Sequence, residues 1–272
     1  MIHLDDGAPC AARVEVSIQL AARFGGTLTG VYLVPTPELT PTVAALLPAD
    51  SVARRVAASG DAQDRSGNAF RHAAGGRVVD VEWRAPAGAP VEAAVASARC
   101  ADLAVLGQPQ ADGDQRGFEQ RIAEGVLLGS GAPVLYVPYT GVPSTLGTRV
   151  LVAWDGGREA ARALRDALPF LASAEEVQVA SYPRDAERAE MLARLQPHLE
   201  SYLALHRVKV SFRGHLGDDL TVGERLLSLA ADAGSDLLVM GGFAHSRARE
   251  WVLGGVTRTM LESMTLPVLM SR

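Results

Sequence analysis

"SDLLVMGG", residues 235 to 242, is an apolar run that follows an acidic residue and ends in two glycines. The chain contains a second version of it, because "ADLAVLGQ" at residues 101 to 108 matches it without a gap. A short apolar run bounded by turn residues is typical of a strand buried on both faces of a sheet. A buried strand that recurs at long range indicates a repeated domain.

Two further matches extend the repeat outward. "PVLYV" at 133–137 matches "PVLMS" at 267–271 with the same offset of 134 residues. "DGAPCAAR" at 6–13 matches "DGGREAAR" at 155–162 with an offset of 149, so the first copy has an insertion, which we place at about 36–75. The chain is therefore predicted to be a tandem duplication, with a first domain over 1–138, a linker over 139–148 and a second domain over 149–272.

Strand and helix patterns alternate within each copy, which is typical of a parallel sheet covered by helices on both faces. In the second copy we expect one helix from about Arg158 to Leu171, and a kink or an early break at Pro197 in the long helix that follows. The insertion of the first copy predicts a helix pair or one long helix. The predicted fold class is α/β, with two open five-stranded sheets.

Composition narrows the classes of function. The chain has 272 residues, 48% of them apolar, and a net charge of −5, so it can build hydrophobic cores and carries no basic footprint for nucleic acid. No apolar run reaches the ~18 residues of a membrane span, and the two cysteines are far apart, so we expect a cytoplasmic protein with no membrane partner. The histidines and cysteines lack zinc-ligand spacing, so no metal site is predicted.

A candidate site lies where the strands of the second copy end. Ligands of open α/β sheets bind outside the carboxyl ends of the strands, where Asp155 and Gly241 are expected. Asp155 is suited either to accept a hydrogen bond from an amino group such as that of adenine, or to close the turn before Gly156. The glycines either expose backbone amides to a phosphate or permit close helix packing. Both alternatives stay open from the sequence.

The order of these elements, with "HSRAREWVLGGVTR" after the glycines and a terminal "PVLM", resembles the universal stress protein family. The resemblance implies Rossmann-like, adenine-nucleotide-hydrolase-like domains, and in one branch ATP bound by a Gly-x2-Gly-x9-Gly-Ser/Thr loop. This loop and the strand-end aspartate give the candidate ligand-binding set, which is Asp155, Gly241, Gly242, Ala244, His245, Arg247, Gly254, Gly255, Val256 and Thr257. Arg247 and Arg249 either pair with phosphate oxygens or form a solvated basic face.

The motif departs from the family at two of its four positions. Ala244 stands where the second glycine is expected, and would cost about 1 kcal/mol if that position needed a positive φ. Gly255 stands where Ser or Thr is expected, which removes a hydroxyl hydrogen bond of about 1 kcal/mol. We therefore expect ATP binding in the second domain to be weak or lost.

The first copy retains less of the motif. The corresponding positions are Gly107, Gln110, Gln120 and Arg121, so a single glycine remains. Either Asp5 or Asp6 matches Asp155, since the ungapped repeat favours Asp6 and the phase of the strand favours Asp5. The first domain is expected to be structural or regulatory.

The resemblance implies a stress-response protein that acts by binding. Its two domains are expected to pair as an intramolecular pseudo-dimer through "PVLYV" and "PVLMS". Whether two chains also form a homodimer stays open from the sequence. One alternative is an enzyme that hydrolyses a nucleotide or is switched by one. The sequence argues against it, because it has no Walker lysine and lacks the Ser/Thr of the loop. Another is an interaction module that binds no nucleotide.

Overall fold

The computed structural model describes residues 1–33, 49–77, 79–109, 116–143, 145–214, 220–242, 244–247 and 250–272. At 49–57, 116, 244–247 and 250–253 it describes the backbone alone. None of the helices in this described part of the chain has the length and hydropathy needed to cross a bilayer.

The first half alternates strands and helices in the predicted order. Its elements are β1 (Ile2–Leu4), α1 (Cys10–Phe24), β2 (Leu28–Tyr32), α2 (Ala49–Ala74), β3 (Val81–Arg84), α3 (Pro90–Ala98), β4 (Ala104–Gly107), α4 (Arg116–Gly129) and β5 (Val134–Val137). The described part of the insertion is one long helix, α2, and residues 36–48 lie outside the described residues.

The second half repeats this order and adds a short hairpin near its end. Its elements are β6 (Arg149–Ala153), α5 (Arg158–Asp166), α6 (Leu168–Leu171), β7 (Glu176–Ser181), α7 (Ala186–Leu205), β8 (Val210–Gly214), α8 (Val222–Asp232), β9 (Leu237–Gly241), β10 (Ala244–Arg247), β11 (Glu250–Leu253), α9 (Gly255–Ser263) and β12 (Val268–Ser271).

The strands of both halves form one sheet of ten strands. The first half has the order β3-β2-β1-β4-β5 and the second the order β8-β7-β6-β9-β12, with parallel neighbours throughout each half. The two meet where β5 and β12 pair antiparallel, with Leu135 opposite Leu269. This arrangement confirms the predicted fold of two five-stranded α/β domains that form an intramolecular pseudo-dimer.

Two hydrophobic cores lie on opposite faces of the sheet, and each continues across the joint between the halves. One core packs α1, α2 and α5 on the sheet and includes Ile18, Phe70 and Leu164. The other packs α3, α4, α8 and α9 and includes Ile122 and Met260. The sheet is therefore covered on both faces, as its near-continuous apolar strands require.

One predicted helix is wrong in its extent, and the early break considered for another does not occur. The helix expected from Arg158 to Leu171 is divided at Ala167, because Pro169 has no N–H to donate and its ring disfavours an uninterrupted helix. The long helix α7 instead runs through Pro197 without the break that we considered. Leu192 precedes the proline and Leu203 follows it, and burial of both holds the helix together despite the lost hydrogen bond.

The start of the second half is held by a buried carboxylate. Asp236 is 4% exposed and precedes β9. Its carboxylate accepts hydrogen bonds from the backbone N–H groups of Gly147, Thr148 and Arg149, each at 3.0 Å. The end of the connection between the halves is thus fixed to the strand that ends at the candidate site.

Replacing Asp236 by alanine should lower the free energy of unfolding by about 3 kcal/mol, because three backbone donors lose their acceptor. Urea denaturation of the purified chain measures this loss. Asp102 occupies the matching position of the first half and is exposed, so Asp102→Ala is the paired control and should cost much less. Equal losses in the two variants would contradict the anchoring role of Asp236.

Candidate functional site

A cleft of about 290 Å³ opens at the carboxyl ends of β6, β7 and β9. The strand order reverses there, since β7 and β9 lie on opposite sides of β6, and this is where α/β sheets bind ligands. The lining residues from strands and their ends are Ala153, Trp154, Asp155, Ala180, Tyr182, Met240 and Gly241. Those from helices are Glu159, Ala160, Val222, Leu226, Gly254, Gly255, Val256 and Thr257.

The N-terminus of α9 faces this cleft. Its N-cap is Gly254, which has no side chain to satisfy the first turn. The first N–H groups of a helix have no partner within the helix and carry the positive end of its dipole. A side chain added at Gly255 would meet nothing within 4 Å, so the backbone is accessible there. This end of α9 is suited to bind an anion.

Asp155 closes a turn and lines the cleft at the same time. One oxygen of its carboxylate accepts the N–H of Gly157 at 2.7 Å. Gly156, between them, has a φ of +73°, which only glycine adopts without strain. Of the two roles considered for Asp155, the structure therefore contains the turn, and it also leaves the exposed side chain at the cleft wall.

The two glycines that end β9 both permit close packing. A Cβ on Gly241 would lie 2.6 Å from the backbone nitrogen of Ala160, so α5 can approach the strand because residue 241 is glycine. A Cβ on Gly242 would lie 3.0 Å from Leu127, which belongs to α4 of the first half. Gly242 thus packs between the halves and does not line the cleft.

Ala244, His245 and Arg247 lie in a hairpin, where the sequence predicted a loop. β10 and β11 pair antiparallel, with Ala244 opposite Leu253 and Arg247 opposite Glu250. Strand residues have an extended backbone, so the positive φ considered for Ala244 does not occur and its cost does not apply. Only the backbone is described for these residues, and Arg249 lies outside the described part, so the cleft described here is built without their side chains.

Glu159 is a cleft residue that the sequence analysis missed. It lies in the first turn of α5, and its side chain is 16% exposed. Desolvation works to raise the pKa of this carboxyl, but hydrogen bonds from the Arg158 side chain and from its own backbone N–H, with the charges of Arg158 and Arg272, hold the pKa below its usual value. The sequence signal that could have indicated it is an acidic residue two positions after Asp-Gly-Gly, in the first turn of the helix.

Aromatic and aliphatic side chains complete the walls. The Tyr182 ring lies at the end of β7 with the guanidinium of Arg225 5.7 Å from its centroid, and burial raises the pKa of the phenol. Val222 and Leu226 of α8 face the same space. Walls that combine apolar surface with a few polar groups are typical of small-molecule sites.

The strand register identifies the matching aspartate of the first half. Ile2 pairs with Val105 as Val152 pairs with Val239, and Val105 and Val239 are equivalent positions of the repeat. Asp5 therefore corresponds to Asp155. It also makes the same turn, since it accepts the N–H of Gly7 at 2.8 Å. The ungapped match of 6–13 with 155–162 is thus out of register by one residue.

The corresponding cleft of the first half is nearly closed, with a volume of about 20 Å³. Its space is taken by His3 and Arg13, whose counterparts in the register are Ala153 and Ala163. The buried Arg13 guanidinium donates to the carbonyl of His3 at 2.8 Å and forms an ion pair with Asp5. Two large side chains therefore fill the first cleft, whereas in the second half Ala153 lines the open cleft and Ala163 is buried in the core.

The described residues contain no group of three or more His, Cys, Asp or Glu side chains that could hold a metal ion.

The model of the universal stress protein family matches residues 1–138 and again 148–272. This chain belongs to the universal stress protein family.

Several solved structures of universal stress proteins are similar to this chain, and the first two below share its fold over nearly its whole length. One from Archaeoglobus fulgidus is 17% identical, covers all of this chain and 97% of its own, and has a TM-score of 0.71. A putative universal stress protein from Pseudomonas aeruginosa is 13% identical over 99% of this chain and 92% of its own, with a TM-score of 0.57. A universal stress protein in complex with cAMP is 22% identical, covers 46% of this chain and 97% of its own, and has a TM-score of 0.36. No curated protein matches the chain in sequence.

Acid should destabilise this universal stress protein through His3. Burial, together with the charge of Arg13, lowers the pKa of His3 to about 4, below the 6.5 of an exposed histidine. Between these two pH values the unfolded chain binds more protons at His3 than the folded chain does. The free energy of unfolding therefore falls as the pH falls, by up to about 3 kcal/mol. Denaturation curves at several pH values measure this slope. His3→Gln should flatten it, whereas His198→Gln, on the surface of α7, should not.

Gly241→Ala should lower the free energy of unfolding by about 2 kcal/mol, because the new methyl group would press against the backbone of α5. Gly255→Ala is the matched control, since its added methyl group meets open space, and it should change stability by less than about 0.5 kcal/mol. Thermal and urea denaturation both report the difference. Equal stability of the two variants would show that close packing does not require glycine at 241.

Proposed function

We propose that this universal stress protein binds an adenine nucleotide in the cleft of its second half and acts as a regulatory binding protein in the stress response. The observation that carries the proposal is the contrast between the two halves. At corresponding positions, the cleft has a volume of about 290 Å³ in the second half and about 20 Å³ in the first. The open cleft, at about 290 Å³, is close to the ~300 Å³ at which small-molecule sites begin, whereas its counterpart is far below that size.

The chemistry of the walls supports a ligand that joins a ring to an anion. Val222, Leu226 and Tyr182 supply apolar and aromatic surface for a base. Asp155 is an acceptor at the cleft wall, which suits an exocyclic amino group. The open N-terminus of α9 supplies backbone donors for a phosphate.

Regulation by binding is favoured over turnover by one residue of the cleft. Gly255, in the first turn of α9, has no hydroxyl at the position where the ATP-binding branch of the family has Ser or Thr. Phosphoryl transfer depends on groups that position phosphates and stabilise the charge that develops on them. A ligand that binds and is released unchanged requires less of the site.

Titration of the full-length chain with AMP and with ATP, followed by calorimetry, tests the proposal. We expect saturable binding of an adenine nucleotide with one site per chain, because the cleft of the first half is closed. Absence of saturable binding by either nucleotide at millimolar concentration would reject the proposal and favour an interaction module. Release of phosphate in step with binding would instead favour the enzyme alternative.

Ala153→His should reduce this affinity at least about tenfold, because it places in the second half the side chain that helps to close the first. A tenfold change corresponds to about 1.4 kcal/mol of binding free energy. Ala204→His on the exposed surface of α7 makes the same chemical change away from the cleft and should leave affinity unchanged. Circular dichroism of both variants confirms that they fold. Unchanged affinity in folded Ala153→His would place the nucleotide elsewhere.

A further inference from the structure

A cavity of about 690 Å³ lies at the amino ends of the strands of the first half, away from the closed cleft at their carboxyl ends. Its walls come from the C-terminal part of α1, from the starts of β2 and β4, and from α6 of the second half. None of the described residues that line it also lines the candidate nucleotide cleft. The cavity is therefore a separate space with its own chemistry.

The repeat shows what this cavity is built to hold. Asp102, on its wall, is the counterpart of Asp236, whose carboxylate accepts the backbone N–H groups of residues 147–149 at 3.0 Å. In the first half the nearby amine of Met1 donates to the carbonyl of Leu103 at 2.6 Å, and the Asp102 side chain stays exposed. The first half thus presents to a cavity the carboxylate that in the second half binds a peptide segment.

A backbone donor of the same arrangement is also matched. In the second half the N–H groups of Glu175 and Glu176 donate to the carbonyl of Thr148 at 2.9 and 3.2 Å. The strand register places Thr27, directly before β2, in the position of Glu176 at the start of β7. Thr27 lines the cavity, so a peptide carbonyl held beside Asp102 would meet the backbone of Thr27.

The apolar part of the wall has its counterpart too. In the second half a Cβ on Gly147 would lie 3.0 Å from the ring of Phe170, and Leu146 packs against the same core. Leu20 has the position of Phe170 in the repeat and lines the cavity beside Phe24. Apolar surface next to groups that bind a backbone is the combination by which proteins recognise peptide segments.

We propose that this cavity binds a short peptide segment of a partner protein, through consecutive backbone N–H groups that donate to the carboxylate of Asp102. The partner's segment takes the place that residues 146–149 take in the second half. Its N–H groups bind Asp102, its carbonyl faces Thr27 and its apolar side chain packs on Leu20 and Phe24. This site is separate from the nucleotide cleft and does not depend on the proposed function.

Calorimetric titration of the full-length chain with the acetylated and amidated peptide TLGTRV, the sequence of residues 145–150, tests the proposal. One peptide should bind per chain, because the matching site of the second half holds the chain's own residues. Asp102→Ala should weaken binding at least about tenfold, because the hydrogen bonds to the carboxylate are lost. The same loss is expected for wild-type chain with a peptide that carries N-methyl groups on its glycine and second threonine.

A pair of neighbouring substitutions tests the position of the peptide. Ala21→Trp places a large ring in the cavity and should also reduce the affinity at least about tenfold. Ala22→Trp is the matched control, because Ala22 is exposed on α1 and is not among the lining residues, and it should leave affinity unchanged. Circular dichroism confirms that both variants fold. Nucleotide binding by either variant should equal that of the wild-type chain.

The opposite results are equally clear. Absence of saturable binding at millimolar peptide would overturn the proposal, as would unchanged binding in folded Asp102→Ala and Ala21→Trp. Equal affinity for the N-methylated peptide would show that the backbone N–H groups are not recognised. Dimers of the free chain in sedimentation experiments, if Asp102→Ala dissociated them, would make a second copy the occupant in place of a partner protein.

Discussion

The antiparallel pairing of β5 with β12 is the interaction on which the rest of the molecule depends. It turns two five-stranded sheets into one sheet and removes an open edge from each half. It also sets up a pair of reciprocal contacts. Gly242 of the second half packs on Leu127, and Gln108, its counterpart in the first half, donates to the carbonyl of Leu261, the counterpart of Leu127. Such reciprocity is expected when two copies meet about a twofold axis.

Because the two halves have the same fold and meet symmetrically, the difference in volume between their clefts comes from a small number of side chains. The small Ala153 lines the open cleft of the second half, while the large His3 and Arg13 fill the corresponding cleft of the first. The ion pair of Arg13 with Asp5 neutralises the charge that this packing buries. The first half thus has this cleft closed and still contributes half of the joint.

The sequence predicted the repeated strands and their joint because a strand buried on both faces is apolar throughout, and such runs can be matched between copies. It could not predict the closing of the first cleft, because Arg13 aligns by sequence with Arg162. Arg162 is half-exposed on α5 and pairs with Asp166, whereas Arg13 is buried. The phase of the first strand offered the alternative that Asp5 matches Asp155, and the strand register decides for it. The place of Glu159 in the cleft wall likewise depends on the close packing of α5 against β9, which follows from the folded structure.

Helix α9 links the joint between the halves to the cleft. Its N-terminus opens on the cleft, while near its other end the carbonyl of Leu261 is one of the last four that have no partner within the helix. Gln108 of the first half satisfies that carbonyl at 3.1 Å. The first half, whose own cleft is closed, therefore helps to hold the helix that supplies the anion-binding end of the second cleft, and this gives a physical reason for both copies to stay in one chain.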